Sequence, residues 1–371
     1  MAGALHGLND GYGGFLSALM PLLIERMGLS LALAGTLGSL RMIAASFVQP
    51  LAGHLADRLG YKLFLLLGPF VTCTVMSVIF HFPGYLALGA ALFLAGLGTA
   101  AFHPAGAALA GSGGGARGYA MSIFLAGGTV GAALGPLFIG WFAEKVGVDY
   151  MDWLLIPAFS VLLVGVILVP AGRGVASGER LLSLPRAQLW TLALLWTIAL
   201  LRALVGMSYG NFLAVLVVER GAPLSLGGAT LALFSISGAV GGIAAGKLSD
   251  RLSRKRVIGI SLLLAIPALY SFLHAEGGLS LFLLAISGFF LMASNPVSIA
   301  YAQELFPEHQ GTVSGVLLGL SWGLGALMAP LIGYLGDLWG LERALALVTA
   351  ALIPAVFAAF LLPREGIAGG P

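Results

Sequence analysis

The chain has 371 residues, 59% of them hydrophobic and 9% charged, with a mean hydropathy of +1.01. Soluble domains carry about a quarter charged residues, so a soluble enzyme or binding module is excluded and a polytopic membrane protein is indicated. The formal charge of +3 has the sign of a nucleic-acid binder, but the basic residues sit in short turns between apolar runs, which excludes that partner. The single cysteine, Cys73, lies in an apolar run and is expected to pack. The opening residues hold no basic region followed by a small-residue cleavage site, so no removable signal peptide is expected.

A helix needs about 20 apolar residues to cross a ~30 Å hydrocarbon core. That length predicts twelve spans, near 3–24, 30–55, 63–82, 85–110, 118–143, 150–170, 188–218, 225–247, 257–274, 279–303, 311–335 and 343–362. Most connectors are short and hold Gly, Pro or charge. The longest, 171–187, contains Arg173, Glu179, Arg180 and Arg186 and no apolar run. It reads as a cytoplasmic linker between an N-terminal bundle, 1–170, and a C-terminal bundle, 188–371. The expected fold is an all-α membrane protein with twelve helices in two pseudo-twofold-related six-helix bundles. With both termini in the cytoplasm, twelve basic residues fall inside and only Arg26, Lys145, Arg220 and Arg343 outside, which fixes that orientation by the positive-inside rule.

The halves repeat. The turn Gly53-His54-Leu55-Ala56-Asp57-Arg58-Leu59-Gly60-Tyr61-Lys62 returns 193 residues later as Gly246-Lys247-Leu248-Ser249-Asp250-Arg251-Leu252-Ser253-Arg254-Lys255. Glu25-Arg26 matches Glu219-Arg220, His103-Pro104 matches Asn295-Pro296, and Gly135-Pro136 matches Ala329-Pro330. Repeats of this kind place a binding site near the membrane midplane between them.

The first of these turns, with Gly53, Asp57, Arg58, Gly60 and Lys62 in register, resembles the loop 2–3 signature of the major facilitator superfamily; Tyr61 stands where a second basic residue is usual. Asp250 and Arg251 hold the matching places in the second copy. The resemblance implies that the first, fourth, seventh and tenth helices line a cavity while the third, sixth, ninth and twelfth face lipid. Ionisable groups do fall inside the first, second, fourth and seventh spans, and the interiors of the lipid-facing set contain no charged side chain. It also implies that Asp57 helps latch the halves during gating. A solvated, positive-inside anchor is the plainer reading of the same residues. In the fifth span Gly127, Gly131, Gly135, Pro136 and Gly140 run along one face. They resemble the Gly-Pro signature of proton-coupled drug exporters, with tight helix packing as the alternative.

Asp10 is the one acidic residue well inside a span, and His6 lies one turn before it on the same face. At 1.5 Å per residue Asp10 sits about 22 Å below one surface and Arg41 about 17 Å, so an Asp10–Arg41 pair is expected, either structural or proton-exchanging. His103 precedes a proline on the fourth span and is read as a packing residue or a second proton carrier. Arg202, Gly206 and Tyr209 share a face of the seventh span, an anion-attracting surface with an aromatic wall. Asn9, Tyr12, Gln49, Asn295 and Gln303 add uncharged polar contacts for a substrate.

His6-Gly-Leu-Asn-Asp10, Gln49-Pro50, Phe102-His103-Pro104, Gln303-Glu304-Leu305-Phe306-Pro307 and Gly311-Thr312-Val313-Ser314-Gly315 are similar to the fosmidomycin-resistance-type exporters and spread over both halves. One departure matters: many antiporters carry a fourth-helix Arg where this chain has Leu92, which shifts any coupling role to Asp10, His103 or His6. The expected activity is proton-coupled efflux of a small amphipathic, anionic compound by alternating access, driven by the proton gradient with no cofactor and no metal. Proton-coupled uptake, a non-transporting sensor or scaffold, and a membrane-embedded enzyme are the rivals. The enzyme would need convergent catalytic groups that the sequence lacks. A monomer in the cytoplasmic membrane of a prokaryote is expected, with no nucleic-acid partner.

Overall fold

A computed structural model describes residues 1–111, 117–170, 186–306 and 310–363. The described residues are helical throughout, with no strand among them. Twelve spans follow in order. The first is Ala2–Gly13 with Phe15–Met27, the second Leu31–Phe47 with Gln49–Leu59, and the third Tyr61–Ser77. The fourth is Tyr85–Gly111, the fifth Arg117–Lys145, and the sixth a 3-10 turn, Val148–Leu154, leading into Leu155–Leu168. Arg186–Glu219, Leu224–Ser249, Arg254–His274 and Gly277–Leu305 form the seventh to tenth. The eleventh runs from Gln310 to Trp339 in several pieces, and the twelfth is Leu341–Thr349 with Leu352–Leu361. Nine described stretches are individually long and apolar enough to cross a membrane, and the bent second span makes a tenth. The third is apolar but shorter. The predicted linker 171–187 lies outside the described residues apart from its last two positions.

Sequence length alone predicts unbroken spans, and the chain departs from that where backbones crowd or hydrogen bonds are lost. The first span breaks at Gly14, where a Cβ would stand 2.9 Å from Pro136 Cδ. The second bends by 42° just before Gln49-Pro50, since proline has no N–H to give the preceding turn. The eleventh carries a π turn over Val316–Leu320 and breaks at Met328, before Ala329-Pro330.

The repeat is written into the backbone as well. Gly28 and Gly221, at φ +61° and +84°, end the first and seventh spans; Gly147 and Gly340, at +106° and +87°, precede the sixth and twelfth. Each pair is 193 residues apart. L residues with a side chain rarely adopt this left-handed conformation, so the four connectors depend on glycine.

Contacts group the chain into two compact units that do not follow the sequence halves. One holds Met1–Ser177, Gly210–Ala232 and Ala329–Asp337; the other holds Gly178–Tyr209, Leu233–Met328 and Leu338–Pro371. Within the first, the first span packs along the fifth, and the fourth packs between the second and third. The closest approach is glycine on glycine. A Cβ on Gly127, Gly131 or Gly135 would collide with the carbonyl oxygen of Gly3, Gly7 or Gly11 respectively. The two helices therefore meet backbone to backbone along three turns. Beside this seam lies an apolar core of Leu5, Leu65, Phe102, Ala105, Phe124 and Leu162. Large apolar side chains project outward from the sixth span at Trp153, Ile156, Leu163 and Ile167, and from the twelfth at Phe357 and Leu361.

Gly131→Ala should destabilise the fold by about 1–3 kcal/mol, as overpacking against fixed backbone does. A thermal-aggregation midpoint in detergent reads this, with Gly278→Ala, which meets open space, as the control left near the parent value.

Candidate functional site

The glycine seam lets the first, fourth and fifth spans converge on three ionisable side chains, His6, Asp10 and His103. Asp10 Oδ2 lies 3.1 Å from His6 Nε2, and its Oδ1 lies 3.2 Å from His103 Nε2. Asn9 Nδ2 donates to the same Oδ1 at 3.0 Å. The His6 ring stacks on Phe124 with centroids 4.1 Å apart and meets His103 edge-on at 5.1 Å. His6 is buried, while the side chains of Asp10 and His103 keep 23% and 29% of their surface, so the cluster has a buried end and an open end.

One bond fixes the roles of the two His6 nitrogens. His6 Nδ1 lies 2.7 Å from the carbonyl oxygen of Phe124, and a carbonyl only accepts, so Nδ1 carries a proton and donates it. In neutral His6 the other nitrogen, Nε2, is then a bare acceptor aimed at a carboxylate oxygen. Two acceptors do not hold a 3.1 Å contact unaided. A positive charge must lie between them, either as a proton shared by the imidazole and the carboxylate or as a bound cation. Two imidazole nitrogens and one carboxylate oxygen within 4.8 Å of one another are also a donor set of the kind that holds a divalent metal ion. That possibility is invisible to ligand spacing in the sequence, because His103 lies far along the chain from His6 and Asp10.

The ring of His6 is held by a residue that sequence reasoning passed over. A Cβ on Gly128 would collide with its Cε1 and Nε2, so Gly128 leaves the space that the imidazole occupies. The only signal was the doubled glycine, Gly127-Gly128, of which one faces the first span's backbone and the other its histidine.

The expected Asp10–Arg41 ion pair does not form: the ion pairs of Asp10 are to His6 and His103. The depth estimate matched the two residues along the membrane normal and carried no information about the direction of either side chain. Arg41 is half-buried, with Nη2 3.8 Å from Met42 Sδ and a buried Nε that has no hydrogen-bond partner. Its Nη1 stands 3.1 Å from where a Cβ of Gly13 would be. Tyr12 donates its hydroxyl to Leu154 O at 2.5 Å and stacks on Phe15, so it braces the first span. Asn9 is fully buried with Oδ1 unpartnered, and Gln49 is half-buried at the bend of the second span.

In the second unit Arg202 is 2% exposed and donates to Asn295 Oδ1 at 2.8 Å and Met292 Sδ at 3.5 Å. Those partners are neutral. Tyr209 is fully buried, its hydroxyl 3.0 Å from Thr349 Oγ1 and its ring beside Phe234 and Phe272, apart from the Arg202 contacts. Gln303 donates to Ser314 Oγ at 2.9 Å, and the neighbouring Glu304 pairs with Arg254. Of the charged turns, Gly60 has φ +99°, Arg58, Asp250 and Arg251 are exposed, and Gly53 lies against Pro104. The side chain of Asp57 falls outside the described residues.

The profile of the Major Facilitator Superfamily matches residues 2–330. The chain belongs to that superfamily. It is 29% identical to the uncharacterized MFS-type transporter YfnC of Bacillus subtilis over 98% of this chain and 92% of that one. It is 28% identical to the fosmidomycin resistance protein of Escherichia coli, over 91% and 86%. Among solved structures, a bacterial homologue of the human lysosomal transporter Spinster, in an inward-facing and occupied conformation, aligns with TM-score 0.81 and 17% identity, covering 99% of this chain and 97% of that one. A D-xylose-proton symporter aligns at TM-score 0.79 and 16% identity, covering 98% and 97%. As a Major Facilitator Superfamily member the chain is a multi-pass membrane transporter and not an enzyme.

Gly128→Ala should push the His6 ring off Asp10 and weaken the cluster by about 1–3 kcal/mol, as overpacking against a fixed ring does. Histidine nitrogen NMR of the folded variant should show the Nδ1–H signal of His6 moved or broadened relative to the parent.

Proposed function

We propose that this transporter exports a small, amphipathic, anionic compound in exchange for protons, and that Asp10, His6 and His103 hold the exchanged proton. The observation that carries this reading is the His6 Nε2–Asp10 Oδ2 contact, which needs a positive charge between two acceptors. In the loaded cluster the charges of an imidazolium and the carboxylate cancel. Releasing the proton leaves a carboxylate against a lone pair, and the two must then separate or find another donor. His103, at the more exposed end, is the side chain placed to pass the proton between Asp10 and the open side.

The anionic character of the substrate is supported by Arg41 and Arg202. Both are cations inside spans whose described hydrogen-bond partners are sulfur and amide; Arg41 lies within electrostatic reach of Asp10 but outside ion-pair distance, and Arg202 has no such carboxylate among its described contacts. A charge at such depth costs at least about 2.5–3.5 kcal/mol, and an anion arriving from solution would offset it. Export is supported by what the similar proteins are called, a fosmidomycin resistance protein and the multidrug resistance protein MdtG of Dickeya zeae. In this reading the transporter works in the cytoplasmic membrane as a monomer with both termini inside, and the halves 1–170 and 188–371, joined by the 171–187 linker, provide alternating access. Asp57, Arg58, Asp250 and Arg251 act in the gating turns.

Purified protein in sealed liposomes should acidify the substrate-loaded lumen as substrate leaves, and Asp10→Asn should reduce this proton flux by at least about a hundredfold while the protein stays folded. Chelation of divalent ions should leave the flux unchanged; a metal requirement would replace the proton in this reading. A growth-inhibition panel that includes fosmidomycin, in cells with and without the gene, tests direction. Tolerance should rise for at least one anionic compound, and accumulation of the compound inside the cells would make the protein an importer.

A further inference from the structure

At the membrane face opposite the charged turns, two contacts recur with the same parts. Asp337, at the end of the eleventh span, accepts hydrogen bonds from the backbone N–H groups of Leu31 at 2.7 Å and Ala32 at 3.0 Å, the first two residues of the second span. Glu144, at the end of the fifth span, accepts from the N–H of Ser225 at 2.9 Å, in the first turn of the eighth span. Glu144 and Asp337 are 193 residues apart, as are Leu31 and Leu224, which begin the two receiving helices.

Close glycine contacts repeat beside them. A Cβ on Gly35 would meet Ala329 O at 2.5 Å, and one on Gly228 would collide with Pro136 O. A Cβ on Gly333 would collide with Leu31 O, and one on Gly140 would meet Leu224 O at 3.0 Å. These residues too are paired by the 193-residue repeat, and all of them lie in the first compact unit. Each set joins a span of the first sequence half to one of the second. The second span with the eleventh and the fifth with the eighth thus share one design, a glycine contact that brings the backbones together and a carboxylate that seals it on helix N–H groups.

We infer that Asp337 and Glu144 form a two-part latch that holds this face of the transporter shut, and that transport requires both carboxylates to let go. The first four N–H groups of a helix have no partner within it, and the helix end carries partial positive charge, so a carboxylate there gains charge-assisted bonds. In the second span Ser30 Oγ takes the N–H of Leu33 while Asp337 takes those of Leu31 and Ala32, so three of the four are satisfied. When the face opens these N–H groups and carboxylates return to water, which makes the contact reversible. The two parts differ in kind: Asp337 accepts from two backbone donors, whereas Glu144 accepts from one backbone N–H and from the Ser225 side chain and is also paired with Lys145 at 2.7 Å. The stronger hold on the backbone is at Asp337.

The test uses the full-length chain with Cys73→Ser, and spin labels at Leu33→Cys and Tyr334→Cys, two exposed positions flanking the Asp337 contact. Double electron–electron resonance in lipid nanodiscs should show a dominant short distance in this parent. Asp337→Asn should raise the ratio of long to short distances about tenfold, the scale of losing a helix cap. Adding Glu144→Gln should raise it further. Asp337→Glu, which keeps the charge, should restore most of the short population and separates loss of the latch from damage to the fold. Distance distributions that stay unchanged in the Asp337→Asn/Glu144→Gln double variant overturn the inference, as does an equal shift in Asp337→Glu. The measurement reads the latch without substrate or proton gradient, so it stands or falls apart from the proposed export.

Discussion

The contact on which the site depends is the hydrogen bond from His6 Nδ1 to the carbonyl of Phe124. It commits one imidazole nitrogen to the backbone of the fifth span and turns the other toward Asp10. Without that anchor the ring can rotate and choose either tautomer, and Asp10 is then an ordinary carboxylate near two histidines. With it, His6 presents one defined nitrogen to Asp10, and the cluster runs from a buried imidazole through a shared carboxylate to a more exposed imidazole. The anchor in turn needs the first and fifth spans at backbone contact, which only paired glycines on both helices permit. Local sequence, close packing and proton chemistry form one chain of dependence here.

Much of this was legible in the sequence because a bilayer imposes strong rules on composition. The length of apolar runs gave twelve spans, since every backbone polar group in hydrocarbon must be satisfied within its own helix. Cost in lipid explains why the few ionisable residues inside spans, Asp10, His6, His103, Arg41 and Arg202, were worth singling out. The pairing of Asp10 was misread because spacing along helix axes says how deep a residue lies, not which way it faces. Arg41 and Asp10 lie at similar depths, but the Asp10 carboxylate turns to His6 and His103. The interruption at Gly14 was also beyond reach, since it depends on Pro136 packing across from it, whereas those at Val48 and Met328 each fall just before a proline.

Gly127 and its neighbours show how one motif admits two readings until coordinates separate its residues. Gly127, Gly131 and Gly135 press against the first span, whereas Gly140 meets the start of the eighth. Gly128, left out of the motif because it breaks the four-residue spacing, is the one that shapes the ionisable cluster. Arg202 illustrates the reverse case. It shares a helical face with Tyr209 in sequence, yet Tyr209 turns into an aromatic core with Thr349 while the guanidinium turns to Asn295 and Met292.

The fifth span has one more consequence. It carries the carbonyl of Phe124 near one end and Glu144 at the other, about 30 Å away at 1.5 Å per residue. The same rod therefore bears on the imidazole at one tip and on the eighth span at the other. Under the proposed latch and proton exchange, a tilt of this span, transmitted past Pro136, would link the two through the backbone of one helix, without a relay of intermediate side chains.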